Sequence, residues 1–182
     1  MTEARESDLE SIAEIYGHYV RHSLATFDEV APPVDAWRHK LEDVRARGLP
    51  FLVVRDAGAV LGFAYAAPFR PKPAYRYTVE DTVYVAPGQG GRGIGRLLLT
   101  DVIRRSAEAG MNRMIAVITD VGDPASARLH RGLGFTEAGY HRRRLQAGPL
   151  DRHGLATARP RPRRPLSPAA DSVPLCLRRC AP

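Results

Sequence analysis

A chain of 182 residues is long enough for one α/β domain with a full core. No apolar run approaches membrane-spanning length, and the first six residues lack the basic start and apolar stretch of a secretory leader, so a cytoplasmic protein without a membrane partner is expected. The net charge of +7 is unevenly placed: residues 1–140 carry 17 Lys/Arg against 18 Asp/Glu, whereas residues 141–182 carry 10 Arg against Asp151 and Asp171.

Ser7 opens an amphipathic helix as its N-cap, with Leu9, Ile12, Ile15 and Tyr16 on one face, running to about Val20 or Arg21. Ala31-Pro32-Pro33-Val34 breaks the chain, and Asp35 caps a second helix carrying Trp37, Leu41 and Val44 on one face. Gly48-Leu49-Pro50 is a turn. Residues 51–55 and 60–66 then read as a hairpin around Asp56-Ala57-Gly58-Ala59. Pro68, Pro71 and Pro73 mark a loop before a long strand from Tyr75 to Val85. A glycine-rich loop and a helix ending near Gly110 follow, then an apolar strand from Arg113 to Thr119. A short helix from Ala125 to Leu133 and a strand opened by Gly134-Phe135 complete the order. Strands and helices alternate after an early hairpin, which predicts an α/β fold with a mixed central sheet and helices on both faces.

The junction from Thr82 to Leu99 carries the chemistry. A β-branched strand enters a loop holding Gly88, Gly90, Gly91, Gly93 and Gly95, and an amphipathic helix starts at once. Backbone N–H groups and the positive end of a helix then point at one place, which suits a phosphate. The spacing is neither the G-x-G-x-x-G of a dinucleotide fold nor a P-loop closed by Gly-Lys-Ser/Thr. A glycine turn with no ligand is the bland alternative. The Gly91-Arg92-Gly93-Ile94-Gly95 run resembles the pyrophosphate loop of the GCN5-related N-acetyltransferases, which implies acetyl-CoA as cosubstrate, held by Gly91 to Arg96, and no metal. Val83, Tyr84 and Val85 would offer main-chain groups to the pantetheine arm if the sheet splays there. Gly93 and Gly95 would let backbone approach the pyrophosphate without a Cβ in the way.

Short blocks sharpen the resemblance. His18-Tyr19-Val20, Ala25-Thr26-Phe27-Asp28-Glu29, the run Ala64-Tyr65-Ala66-Ala67-Pro68-Phe69-Arg70, and the strand from Tyr75 to Val85 resemble phosphinothricin N-acetyltransferases and the methionine sulfone and sulfoximine acetyltransferases. The resemblance covers residues 5 to 140 and implies acetyl transfer to the α-amine of a small amino-acid analogue by a homodimer. It makes Glu80 the general base, needed because an α-ammonium must lose a proton before it can attack a thioester. Asp81 points to the opposite face of a regular strand and cannot share that role. His130 stands where many relatives carry a tyrosine acid, so it is a candidate donor to the departing thiolate; a half-buried histidine packing on the cofactor helix is the plain alternative. Asp123 and Ser126 match a polar pair on the pantetheine side, with Asp123 departing from the usual amide, and Gly90 departs from the Gln or Arg usual in the loop. Arg70, Lys72 and Arg76 could pair with the acceptor's carboxylate and polar head, and Phe27 and Phe69 could wall the site. Each of these five reads equally as surface charge or core aromatic.

The resemblance stops near Tyr140. Arg159-Pro160-Arg161-Pro162-Arg163-Arg164-Pro165 can neither propagate a helix nor sit in a central strand, so residues 141–182 read as a disordered tail and the last strand of the fold as missing. Cys176 and Cys180, with no matching pair, make neither a metal site nor a disulfide framework. Back-translated and moved by one nucleotide, the segment from Arg144 to Leu155 allows Gly-Phe-Lys-Pro-Gly-Arg-Trp-Ile-Asp-Thr-Ala-Trp, close to the family's last strand. A frameshift near Arg142 to Arg144 is the expectation, leaving a CoA-binding but impaired enzyme as the alternative. A basic nucleic-acid-binding tail is disfavoured, since residues 141–182 contain no Phe, Tyr or Trp. Polyamines are disfavoured as acceptors by Arg70, Lys72 and Arg76.

Overall fold

The computed structural model describes residues 1–119, 124–142 and 172–179. Its strands are β1 (Thr2–Glu3), β2 (Phe51–Asp56), β3 (Ala59–Pro68), β4 (Thr78–Val85), β5 (Arg113–Val117), β6 (Thr136–Arg142) and β7 (Ser172–Arg179), in the sheet order β1-β2-β3-β4-β5-β7-β6. The helices are α1 (Leu9–His22), α2 (Val34–Ala46), α3 (Ile94–Glu108) and α4 (Ala125–Arg131). Among the described residues no helix is long and apolar enough to cross a membrane.

Alternation along the middle strands assigns the two faces. Phe51, Phe63 and Tyr65 turn to the side of α1 and α2, where Trp37 meets the Phe63 ring at 5.5 Å and Phe51 meets Tyr65 at 4.9 Å. Gly62 lies on the opposite side, so close to α3 that a Cβ there would stand 3.2 Å from Ile94 Cγ2. Leu52, Ala64, Leu98, Leu99 and Val102 fill that second layer with no exposure. Burying a Leu, Val or Phe side chain contributes about 1.5–3 kcal/mol, so covering both faces supplies the main favourable term.

Helix α1 begins one residue later than the Ser7 cap predicts, with Asp8 at the N-cap. A 3-10 turn at Glu6–Asp8 precedes it, and the buried Asp8 carboxylate accepts from the Arg5 N–H at 2.6 Å and from Arg55 on β2. The strand expected from Tyr75 starts instead at Thr78, because Pro73–Tyr75 forms a second 3-10 turn. The two-residue β1 has no pattern long enough to detect in sequence; it pairs antiparallel with Leu52 and Val53.

Strands β4 and β5 run parallel for only three pairs, Thr78 with Arg113, Val79 with Met114 and Glu80 with Ile115. Beyond Glu80, β4 stays with β3 as far as the Val85–Gly62 pair, while β5 continues along β7 to Val117. The sheet therefore opens immediately after Glu80.

The expectation of a missing last strand is corrected. Ser172–Arg179 lies antiparallel between β5 and β6, pairing Ile115 with Leu177 on one side and Thr136 with Leu177 on the other. The period-two run Val173, Leu175, Leu177 is an ordinary strand pattern, and a partner there satisfies the main-chain groups of β5 and β6 that would otherwise face an open edge. The Arg- and Pro-rich composition upstream concealed it. The rest of the expected disordered tail, and the segment from Arg144 to Leu155 on which the frameshift reading rests, lie outside the described residues.

Candidate active site

A cavity of about 710 Å³ occupies the opening between β4 and β5. One end is formed by the glycine loop and the start of α3, the other by Tyr16, Tyr19, Thr26, Phe27, Asp28 and Tyr65, with the β4 residues Glu80 to Val85 between them. Ala116 to Thr119 and the α4 residues Ser126, Leu129 and His130 close the remaining wall.

The loop end is built to accept an anion. Gly93 precedes α3 at φ +78°, a left-handed conformation that disfavours any side chain. Among the described residues no side chain caps the helix, so the N–H groups of its first turn stay available, at the positive end of the macrodipole. Gly95 lines the cavity and also serves packing. A Cβ there would meet Leu129 Cδ2 at 3.3 Å, so glycine lets α3 close on α4.

Main-chain alternation on β4 decides which strand residues can serve a ligand. The Ala86 N–H bonds Leu61 O at 2.8 Å, and the register then turns the main-chain groups of Tyr84 toward β3 and those of Val83 and Val85 into the opening. Val85 O already accepts from the Tyr19 hydroxyl at 2.7 Å. Tyr84 contributes its side chain instead: its ring stacks on Phe63 and its hydroxyl donates to Ala25 O at 3.1 Å. Burial chiefly pushes the Tyr84 phenol up to about 12.

Side-chain alternation separates the two acids as expected. Glu80, paired opposite Ala67, shares the face of Tyr65 and Tyr84, on the side of α1 and α2. Burial and then the charge of Asp81 push the Glu80 carboxyl above the ordinary range, with Lys40 on α2 pulling the other way. A carboxylate so placed holds a proton more readily than one in water, which is what a general base near neutrality requires.

Asp81 turns to the α4 side. Its Oδ2 stands 3.0 Å from His130 Nε2, both side chains being almost wholly buried. His130 Nδ1 lies 2.7 Å from Ser126 O, a carbonyl that can only accept, so Nδ1 carries a proton. The pair then holds one further proton between Nε2 and Oδ2. Burial by itself lowers the imidazolium pKa, and the Asp81 hydrogen bond and charge with the Ser126 carbonyl outweigh it, leaving His130 raised. Both ring nitrogens are thus bonded within the protein. Asp81 Oδ1 is buried with no partner among the described residues.

At the far end the Tyr16 hydroxyl donates to Asp28 Oδ2 at 2.6 Å and so accepts from Thr26 Oγ1 at 2.6 Å. These bonds fasten the 25–29 segment over the cavity. Burial and the Asp28 bond raise the Tyr16 phenol far above its ordinary value, so it stays a donor at any working pH.

Residues 10–135 match the Acetyltransferase (GNAT) family. The chain belongs to that family. It is 44% identical over 135 residues to a phosphinothricin N-acetyltransferase of Alcaligenes faecalis, covering 74% of this chain and 68% of that protein. It is 38% identical over 133 residues to an L-methionine sulfoximine/L-methionine sulfone acetyltransferase of Salmonella typhimurium, covering 73% and 77%. Among solved structures, a GNAT superfamily phosphinothricin acetyltransferase from Sinorhizobium meliloti in complex with AcCoA superposes with a TM-score of 0.79 at 34% identity, covering 98% of this chain and 86% of that one.

Within this GNAT domain the expected site residues divide. Glu80, Val83, Tyr84, Val85, Gly91, Gly93, Ile94, Gly95, Arg96, Ser126, His130 and Phe27 line one cavity. Arg92 does not; it bonds Gln89 and lies 3.9 Å from Asp56. Phe69, Arg70, Lys72 and Arg76 do not line it either. Arg70 lies over the Phe69 ring at 5.0 Å and Arg76 over Tyr77 at 4.7 Å. Asp123 lies outside the described residues. The polar roles of Tyr16, placed by its spacing in the core, and of Asp28 were not expected from the sequence. The block from Ala25 to Glu29 was the available signal.

Proposed function

We propose that the chain transfers an acetyl group from acetyl-CoA to the α-amine of a small amino acid or analogue of the phosphinothricin, methionine sulfoximine or methionine sulfone type. The observation that carries the reading is the parting of β4 from β5 directly after Glu80, in line with the uncapped start of α3. One continuous cavity then joins an anion-binding end to a half-buried carboxylate. The curated relatives named for these acceptors support the substrate class.

Acetyl-CoA supplies the activated acetyl thioester. The N–H groups of Ile94, Gly95 and Arg96 and the Arg96 side chain would hold its pyrophosphate, and the main chain of Val83 and Val85 its amide-bearing arm. Glu80 takes the proton that the acceptor's ammonium must lose before its nitrogen has a lone pair. Tyr65 and Phe27 wall the place of the acceptor and exclude water. His130 and Asp81 hold α4 against β4 rather than deliver a proton, since neither ring nitrogen is unbonded. The same reading extends to a cytoplasmic homodimer, the dimer carried by the resemblance, and to a changed reading frame near Arg142 to Arg144, carried by the back-translated segment.

Mass spectrometry of a reaction holding acetyl-CoA and each acceptor, with and without a blocked α-amine, tests it. Acetylated product from the open amines and none from the blocked ones is expected. Product from neither, with acetyl-CoA still bound, would overturn the transfer reading.

A further inference from the structure

A strand that parts from its neighbour leaves a row of main-chain N–H and C=O groups without partners, and such a row is stable only where something else meets it. Beyond Glu80, β4 keeps its pairing to β3 and pairs with β5 no further. The outward groups of Val83 and Val85 are those to which the reading above gives the amide-bearing arm of acetyl-CoA. They must keep their aim before the arm arrives, with one side of the strand unsupported.

One of these groups is met from another layer. Tyr19, near the end of α1, donates its hydroxyl to Val85 O at 2.7 Å, joining positions 66 residues apart in the chain. Its ring lies 5.0 Å from the Tyr84 ring and 5.6 Å from that of His18, contacts that hold the phenol in place. The Tyr84 hydroxyl runs the other way, from β4 to Ala25 O at 3.1 Å. Two hydroxyls, one in each direction, thus tie the outer half of β4 to α1 and to the segment that follows it. Tyr19 and Val85 both line the cavity, so the tie stands in the wall that a ligand meets.

We infer that Tyr19 is a positioning residue for the cofactor: by taking up Val85 O it holds the outer half of β4 extended, so that the main-chain groups of Val83 and the Val85 N–H stay turned into the opening. The inference rests on acetyl-CoA as the ligand proposed above. Tyr19 acts on the strand and does not touch the reacting atoms. The pantetheine arm carries two amides, and pairing both to one strand demands the regular rise of about 3.3 Å per residue that a buckled strand loses. The phosphates, held at the start of α3, make no such demand.

That difference supplies the test. Calorimetry on full-length wild type and Tyr19→Phe would use acetyl-CoA and, separately, 3′-phospho-ADP, the half of the cofactor that keeps the pyrophosphate and lacks the arm. Phenylalanine keeps the ring and its contacts, so folding is not at stake, and Tm is read alongside. The Kd for acetyl-CoA should rise about three- to tenfold, the order of one hydrogen bond between neutral groups, while the Kd for 3′-phospho-ADP stays unchanged. In steady state the loss should fall on the KM for acetyl-CoA and not on kcat. An acetyl-CoA Kd unmoved in Tyr19→Phe, or a loss shared equally by 3′-phospho-ADP, would overturn the inference. Binding is read here without turnover, so an inactive chain that shows the split supports Tyr19 and counts only against the transfer reading. A wild type that binds no acetyl-CoA would overturn both.

Discussion

The buried Asp81–His130 pair makes a prediction in which sign and size both follow from geometry. Replacing Asp81 by Asn keeps the shape but removes the charge that holds the second proton on the ring. A hydrogen bond to a charged group contributes about 1.5–3 kcal/mol, and stranding a buried charge costs about 3–5 kcal/mol. The imidazole escapes the larger cost by shedding its proton, so Asp81→Asn should lose about 2 kcal/mol at pH 6. In a domain of this size that lowers Tm by about 4–8 °C. The pH dependence is the sharper test. His130 has a folded-state pKa above its unfolded value, so its contribution is fully present below about 6.5 and is lost as pH rises through the raised value. The gap between wild type and Asp81→Asn should therefore be widest near pH 6 and should narrow toward pH 9. Urea unfolding at several pH values, with NMR titration of the His130 ring in both proteins, reads this out; the His130 midpoint should fall in the variant. A gap that stays constant from pH 6 to 9, with an unmoved midpoint, would refute the shared proton.

Glu80→Gln should lower kcat by about 10²–10⁴ while leaving acetyl-CoA affinity unchanged by calorimetry. Because burial and Asp81 raise the Glu80 carboxyl, the wild-type kcat/KM should fall as pH drops through that raised value, and the limb should vanish in the variant. Gly93→Ala forces a side chain into φ +78°, costing about 1–2 kcal/mol, and should weaken acetyl-CoA binding as well as lower Tm. Gly95→Val should do worse, since its added atoms must enter the space that Leu129 Cδ2 occupies, 3.3 Å from a first Cβ. Equal Tm for both glycine variants and the wild type would contradict the packing described.

Long periodic elements were legible in sequence for a physical reason. The faces of α1 and α2, the β2–β3 hairpin and the strand–loop–helix junction each repeat an apolar spacing or carry a φ > 0 glycine, and local rules suffice there. Glu80 and Asp81 divided correctly because alternation along a strand is strict. Three things were not local. The opening of β4 from β5 depends on where a distant strand stops pairing, and it is the main-chain groups of Val83 and Val85, not those of Tyr84, that turn into it. Nothing in the helix pattern reveals that Asp81, far away in sequence, meets the second nitrogen of His130. Arg70, Lys72 and Arg76 stand near Glu80 in the chain but do not line the cavity, with Arg70 over Phe69 and Tyr75 and Arg76 over Tyr77. The strand Ser172–Arg179 was hidden by the composition around it.

The most direct test of the account is release of free CoA thiol from acetyl-CoA by the full-length chain, with methionine sulfoximine as acceptor, measured beside Glu80→Gln. Acceptor-dependent release by the wild type, reduced by about 10² or more in the variant, is the predicted result. Release of equal rate in the two proteins, or none that depends on acceptor, would contradict a base at Glu80 serving one cavity through the open sheet.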